Sequence, residues 1–398
     1  MTAAGPEVTS HGQTTKAPRR WWRSASYAPL TLLGLASVAA LVTGVITTAE
    51  QRTHPVPVST ATAGSAADAA CRPPVEPATA EPWLAGDGSA EQIWQTHAEE
   101  LAQPYVIGDD GWIFWSDYIE QYASQAVGRA TLSAEELSRW VAYYTSIRDG
   151  LAAEGIDFQI IVTPSTSSVY PEELPGWMQE LRGSTIMDQF MSVAGDLPVI
   201  DLRARLQAAK DPDTHVFSWS NSHWTDYGGY VGWQQIAECV NALHPDQPPL
   251  QVPEISGTEI VGDFNEWASY GVPSPGADWA VPVFSEPLQG VTYTDNTGET
   301  RTVPGETVMD ASWLPLETSV ASSWTGQSAL IIRDSMGGAI SPYWDQAYSP
   351  TWQIGHAYTD YSAWPKYREL VAQYRPDVVV LQLAERHLVN TPPAGAAY

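Results

Sequence analysis

The chain has 398 residues, 43% apolar and only 16% charged, which suits one large globular domain with insertions or two modest ones. Its 19 basic residues against 46 acidic give a formal net charge of -27. That balance argues against nucleic acid and anionic membrane surfaces as partners, and it weighs against a strongly anionic polymer as substrate.

Residues 1–28 are polar and carry Lys16, Arg19, Arg20 and Arg23, and no charged residue follows from Pro29 to Ala49. About twenty helical residues span roughly 30 Å, the thickness of the hydrocarbon core. The pattern predicts a cytoplasmic basic tail at 1–28 and a transmembrane signal anchor at 29–49, with the remainder extracytoplasmic. A cleaved signal peptide is the alternative, with Thr47-Thr48-Ala49 as its small-residue site. Residues 50–80, rich in Ala, Thr and Pro and without periodicity, read as a flexible linker to a domain at 81–398.

Within that domain, Gly108-Asp109-Asp110-Gly111-Trp112-Ile113-Phe114 is a turn running into an apolar strand. Ser133-Ala134-Glu135-Glu136 is a capping box opening a helix, with Leu137, Trp140, Val141, Tyr144, Ile147 and Leu151 at helical spacing and Gly155 at its end. Buried strands are expected at 156–162, ending at Thr163-Pro164-Ser165, and at 198–202. His223 falls in a polar loop just before a helix of about 227–240, for which Thr225 or Asp226 is the cap. Residues 248–325 turn rich in Pro and Gly and contain a hairpin pattern from Val291 to Val303, so they read as a β-rich insertion. Strands resume at Ala329-Leu330-Ile331-Ile332 and at 377–383, with a helix near 365–374 between them. Helices alternating with buried strands predict an α/β fold with a mainly parallel sheet flanked by helices.

The strand at 329–332 stops at Arg333-Asp334-Ser335, and Gly337 and Gly338 then allow a tight turn with positive φ. Ligands of such folds bind outside the carboxyl ends of the strands, so Ser335 is a candidate nucleophile. The alternative is that Asp334-Ser335 merely caps a helix. A serine needs a base to take its proton, and His223 has the right pKa for that work. Asn221 could orient the imidazole, Asp226 is the other local carboxylate, and the N–H groups of Ser335 with Gly337 or Gly338 could form an oxyanion hole. Asp211, Asp213, His215 and His223 form a weaker alternative as metal ligands, because their spacing fits no zinc motif. His356 and His387 sit at or beyond strand ends, where a structural role or a place in the cleft is open to each. The two cysteines, Cys71 and Cys239, could form one disulfide if the chain is exported. The 18 tryptophans serve either ordinary packing or stacking on sugar rings.

Several blocks occur in the order found in the AlgX/AlgJ-type SGNH-hydrolase-like family of polysaccharide O-acetylation proteins, which the chain resembles over roughly residues 100–390. Gly108 through Phe114 resembles that family's opening Gly-x-Asp-Gly-Trp-Leu-Phe, and Val169-Tyr170-Pro171-Glu172-Glu173-Leu174-Pro175 its Tyr-Pro-Glu-x-Leu-Pro. Ser222-His223-Trp224, Val261-Gly262-Asp263-Phe264, Asp334-Ser335 and Glu385-Arg386 follow in family order. The resemblance implies an SGNH-like fold in which Ser335 attacks an acetyl donor, His223 takes its proton, and Asp334 and Arg386 support the site. It implies a polysaccharide acceptor, acetyl transfer more than hydrolysis, and a membrane-bound O-acyltransferase as the source of acetyl groups. No cofactor or metal is expected. Three positions depart from the family. Asn221 stands for an aspartate, Thr166 for a lysine and Arg333 for a glycine. Asparagine can orient an imidazole but brings no charge to it, so a non-catalytic, carbohydrate-binding scaffold is the alternative reading, and a simple secreted esterase a third.

Overall fold

Apolar runs that are buried on both sides build the centre of this protein, as seen in the computed structural model, which describes residues 66–398 apart from 79, 275 and 359. The expected basic tail, the anchor at 29–49 and the first half of the linker lie outside the described residues. Among the described residues no helix is long and apolar enough to cross a membrane.

In chain order, β1 (Tyr105–Ile107) and β2 (Ile113–Trp115) form an antiparallel ribbon. Its turn needs positive φ at Asp110 (48°) and Gly111 (86°), which accounts for the Asp-Gly there. Helix α1 (Ala134–Ala153) opens on the expected capping box, with Ser133 Oγ accepting from the Glu136 N–H and the Glu136 carboxylate from the Ser133 N–H. It buries Leu137, Trp140, Tyr143, Tyr144, Ile147 and Leu151 against the sheet, and Gly155, at φ 75°, turns the chain out of it. Then come β3 (Asp157–Thr163), β4 (Val199–Asp201) and helix α2 (Asp226–Leu243), capped by Thr225 through the Gly228 N–H. The insertion supplies β5 (Ile255–Ile260), β6 (Ala280–Phe284), β7 (Val291–Thr294), β8 (Thr300–Val303) and β9 (Leu316–Ser319). The last strands are β10 (Ala329–Arg333), β11 (Thr351–Gly355) and β12 (Val378–Ala384).

The main sheet has eight strands in the order β4-β3-β12-β10-β11-β9-β7-β8. From β4 to β11 neighbouring strands run parallel, as expected. The sheet as a whole is nevertheless mixed rather than mainly parallel, because β9, β7 and β8 add to its β11 edge in antiparallel fashion. The insertion therefore covers a strand edge that would otherwise present unpaired N–H and C=O groups. Of the insertion's strands, β5 and β6 stand apart as a two-stranded sheet of their own, as β1 and β2 do nearer the N-terminus.

Alternate residues of the parallel strands feed two different cores. Ile161, Ala329, Ile331, Val378 and Val380 join the cluster containing the buried face of α2. Ile160, Val162, Leu330, Ile332, Val379, Leu381 and Leu383 join the cluster containing α1. Both faces being covered explains why these strands read as unbroken apolar runs.

Within the expected linker at 50–80, residues 66–71 are folded. A short helix, Ala66–Cys71, precedes a disulfide between Cys71 and Cys239 of α2, and Arg72 donates to the Gly195 carbonyl at 2.7 Å.

Candidate active site

Strand β10 ends at Arg333, and residues Ser335–Ile340 continue as a 3-10 turn. The cap of that turn is Asp334, whose Oδ1 accepts from the Met336 N–H at 2.8 Å. The capping role thus falls to the aspartate, leaving the Ser335 side chain exposed and unburdened at the carboxyl edge of the sheet. Positive φ, expected for Gly337 and Gly338, is not used at either. Gly337 is required for space instead: a Cβ there would come within 2.7 Å of Arg333 Cδ and of Gln382 Oε1, whereas at Gly338 the nearest atoms lie at 3.5 Å. Gly337→Ala is therefore expected to cost about 1–3 kcal/mol in urea unfolding, as overpacking does. Gly338→Ala should be close to neutral in the same measurement.

The histidine loop reaches the serine because three contacts fix it. The Trp224 indole N–H donates to the Met336 carbonyl at 2.8 Å, clipping the loop to the serine turn. Asp278 accepts from the Trp219 N–H at 2.7 Å and from Ser218 Oγ at 3.1 Å. Gly229 of α2 lies so close to Ala339 that a Cβ would meet its carbonyl at 2.4 Å. In this frame His223 Nε2 stands 2.8 Å from Ser335 Oγ and Nδ1 2.8 Å from Asn221 Oδ1.

The hydrogen bonds around Asn221 select the tautomer. Its Nδ2 donates to the Phe264 carbonyl at 2.7 Å, so its Oδ1 must face the ring, where it also accepts the His223 backbone N–H at 3.0 Å. Nδ1 therefore carries the proton and Nε2 is the acceptor for the serine hydroxyl. Burial holds the His223 imidazole below its ordinary pKa, against an upward pull from Glu266. Glu266 was not singled out from the sequence, yet its Oε2 lies 3.9 Å from Nδ1.

Asp334 is the hub beneath the serine. Besides the Met336 N–H, it accepts from Gln382 Nε2 at 3.0 Å, the Ala384 N–H at 2.7 Å and His356 Nε2 at 3.1 Å. His387 Nε2 lies 3.5 Å from the same carboxylate. Burial alone would raise the Asp334 pKa, but the two imidazoles hold it well below the usual carboxylate range. His387 moves the other way: burial lowers it, and Asp334 together with Glu120, 2.9 Å from Nδ1, raises it on balance. Asp334, His356 and His387 offer donor atoms within 4.8 Å of one another, the grouping among the described residues that could hold a metal. Here imidazole protons and carboxylate lone pairs satisfy each other. A cavity of about 490 Å³ opens beside this hub, walled by Leu314, Pro315, Ile354, Ala357 and Tyr358.

Other expected residues lie elsewhere. The Arg386 guanidinium pairs with Glu120 at 3.1 Å, and its charge depresses the His223 pKa from a distance. Asp226 takes no part in holding His223; it is bonded to Trp279, and burial pushes its carboxyl up to about 6. The N–H of Gly337 is directed to the Asp334 carbonyl at 3.3 Å, which removes it from the expected oxyanion donors. Asp211, Asp213 and His215 do not gather with His223: Asp211 caps the Asp213 N–H, and His215 packs between Trp112 and Trp219. Arg333, where the family has glycine, is fully buried and donates to Gln353 Oε1 at 2.7 Å and the Met309 carbonyl at 2.6 Å. Burial pushes its pKa down to about 10. Glu385 accepts from the Ser165 N–H at 2.8 Å and Ser168 Oγ at 2.9 Å, joining the blocks at the ends of β3 and β12.

A serine hydroxyl bonded to an oriented imidazole at the carboxyl edge of a parallel sheet is the arrangement that Ser-His acyl chemistry uses. Residues 105–273 match the family described as SGNH hydrolase-like domain, acetyltransferase AlgX. Over that stretch the chain resembles the AlgX/AlgJ-type SGNH-hydrolase-like family. It is 27% identical over 159 residues to a probable alginate O-acetylase AlgJ of Pseudomonas fluorescens, covering 39% of this chain and 38% of that protein. It is 30% identical over 139 residues to the Pseudomonas putida protein of the same description, covering 34% of each. The chain thus matches well under half the length of these curated relatives. Bacillus cereus PatB1 with a sulfonyl adduct shares the fold, at a TM-score of 0.53 and 13% identity over 73% of this chain and 97% of that one. The family match ends ahead of Ser335, so the candidacy of this serine rests on its geometry.

Proposed function

We propose that this chain is a membrane-anchored, extracytoplasmic O-acetyltransferase acting on an exported or cell-surface polysaccharide. The observation that carries the reading is the 2.8 Å contact of His223 Nε2 with Ser335 Oγ, made by a ring whose other nitrogen is held by Asn221. Ser335 Oγ attacks the carbonyl carbon of an acetyl ester while its proton passes to Nε2. As the donor's C–O bond breaks, Nε2 returns that proton to the leaving oxygen, and the acetyl group rests on the serine. A sugar hydroxyl then attacks, gives its proton to Nε2, and the serine leaves and recovers it. The Ser335 N–H, which has no protein acceptor among the described residues, serves as an oxyanion donor.

The names of the AlgJ relatives support a polysaccharide acceptor and transfer over hydrolysis. The apolar run at 29–49 and the Cys71–Cys239 disulfide support a location outside the cytoplasm. A membrane-bound O-acyltransferase as acetyl source follows from the same family reading. The alternative, a carbohydrate-binding scaffold, is favoured by Asn221 alone.

The pH profile of acetyl-ester turnover by the full-length chain tests the base. Only neutral imidazole accepts the serine proton, so kcat/KM should rise with pH to a plateau. Because burial depresses His223, the midpoint should fall below the ordinary imidazole value of about 6.5. A midpoint above that value, or a flat profile, contradicts the assignment. Absent turnover with retained glycan binding would favour the scaffold.

A further inference from the structure

We propose that Glu266 is a positioning residue that supplies His223 with the negative charge Asn221 lacks. The inference rests on the reading of His223 as the base. Asn221 fixes the ring through a neutral amide, which orients Nδ1–H but gives little compensation once Nε2 gains a proton. The Glu266 carboxylate lies 3.9 Å from that same Nδ1, with the two side chains 20% and 31% exposed respectively. Orientation and charge, which one aspartate usually combines, are here divided between two residues.

The carboxylate is held in place rather than merely nearby. Glu266 accepts from the Ser222 N–H at 2.7 Å and from Ser222 Oγ at 2.8 Å, so it is bonded to the residue next to the base. Its own N–H donates to the Ser220 carbonyl at 3.1 Å. Two residues earlier, the Phe264 carbonyl takes the Asn221 amide. One short segment of the insertion therefore sets both the orienting amide and the compensating charge.

The other charged groups acting on the ring do not replace it. Arg386 opposes the imidazolium, and Asp334 and Asp310 favour it less than Glu266 does. Asp334 is already engaged with His356 and His387, and Asp310 caps the Ser312 N–H. An opposite charge within about 4–6 Å of a titrating group typically moves its pKa by 1–3 units.

The test is the titration of the His223 imidazole by NMR in the full-length chain, which does not depend on turnover. Glu266→Gln should lower the His223 midpoint by about one unit or more and lower kcat about 10- to 100-fold with KM little changed. Adding Asn221→Asp to Glu266→Gln should restore both, because the charge returns on the orienting residue. A purely structural role through the Ser222 hydrogen bonds predicts no such rescue. Should Glu266→Gln fail to fold, Glu266→Asp reads the same coupling, since its shorter chain draws the charge back and lowers the midpoint by a smaller step. A His223 midpoint unmoved by these changes, or a double variant no better than Glu266→Gln, overturns the proposal. A shifted midpoint in a protein without esterase activity would instead refute the base assignment and leave the coupling standing.

Discussion

Replacing Ser335 by alanine is expected to lower acetyl-ester turnover by about 10⁶-fold, and His223→Ala should cost about as much. The two act as one unit, joined at 2.8 Å, so the double variant should be no worse than either single one. The Ser335 side chain is exposed and caps nothing, because Asp334 takes the cap. Stability should therefore stay within about 0.5 kcal/mol of wild type in Ser335→Ala. Turnover measured beside urea unfolding separates this outcome from a folding defect. A Ser335→Ala protein that still hydrolyses acetyl esters at more than a small fraction of the wild-type rate would remove the serine from the mechanism.

Asp334→Asn should be the second large effect, and of a different kind. The Asp334 carboxylate accepts from the Met336 N–H, the Ala384 N–H, Gln382 and His356, and it lies against His387. An asparagine of the same shape must turn an amide NH₂ toward some of these donors, and it removes one of the two carboxylates that face His387. Breaking a buried ion pair from one side typically costs about 3–5 kcal/mol. Activity should fall by about 10²-fold or more, since the serine turn hangs from this cap and small misplacements of a nucleophile are costly. The sign with pH also follows. The imidazoles hold the Asp334 pKa well below the usual range, so its contribution is full above the unfolded carboxylate pKa and is lost as pH falls through the folded value. The difference in stability between wild type and Asp334→Asn should accordingly shrink in acid. Urea midpoints across pH check this, and a constant difference would contradict it.

Much of this arrangement was legible in the sequence, for physical reasons that can be named. The strand at Ala329-Leu330-Ile331-Ile332 is buried on both faces, so it shows as an unbroken apolar run whose end is easy to place. The capping box at Ser133 is a local motif and needs no tertiary information. The pairing of His223 with Ser335, 112 residues apart, came from family order and not from spacing. Strands β9 and β11 escaped notice because Leu316-Glu317-Thr318-Ser319 and Thr351-Trp352-Gln353-Ile354-Gly355 mix polar and apolar residues without a long run. Their pairing, which turns the sheet from parallel to mixed, is a tertiary event.

The same holds for Glu266. Its only local mark is a place just after the Gly-Asp-Phe block, and nothing nearby in sequence says that the insertion folds back beneath the His223 loop. Asn221 looked like a loss from the sequence, because a single residue was expected to supply both orientation and charge. Gly337 was read as a conformational glycine, whereas its requirement is the closeness of Arg333 and Gln382, which only packing reveals. Arg333, a departure from the family pattern, became intelligible once its guanidinium was seen to hold the Met309 carbonyl and Gln353.

The central claim is that Ser335 carries the acetyl group between donor and acceptor. Mixing the full-length protein with an acetyl ester, quenching in acid and mapping peptides by mass spectrometry reads this directly. The account predicts one acetyl group on Ser335, absent from Ser335→Ala and removed on adding a competent sugar acceptor. Turnover without acetyl on Ser335, or with acetyl on another residue, would contradict it.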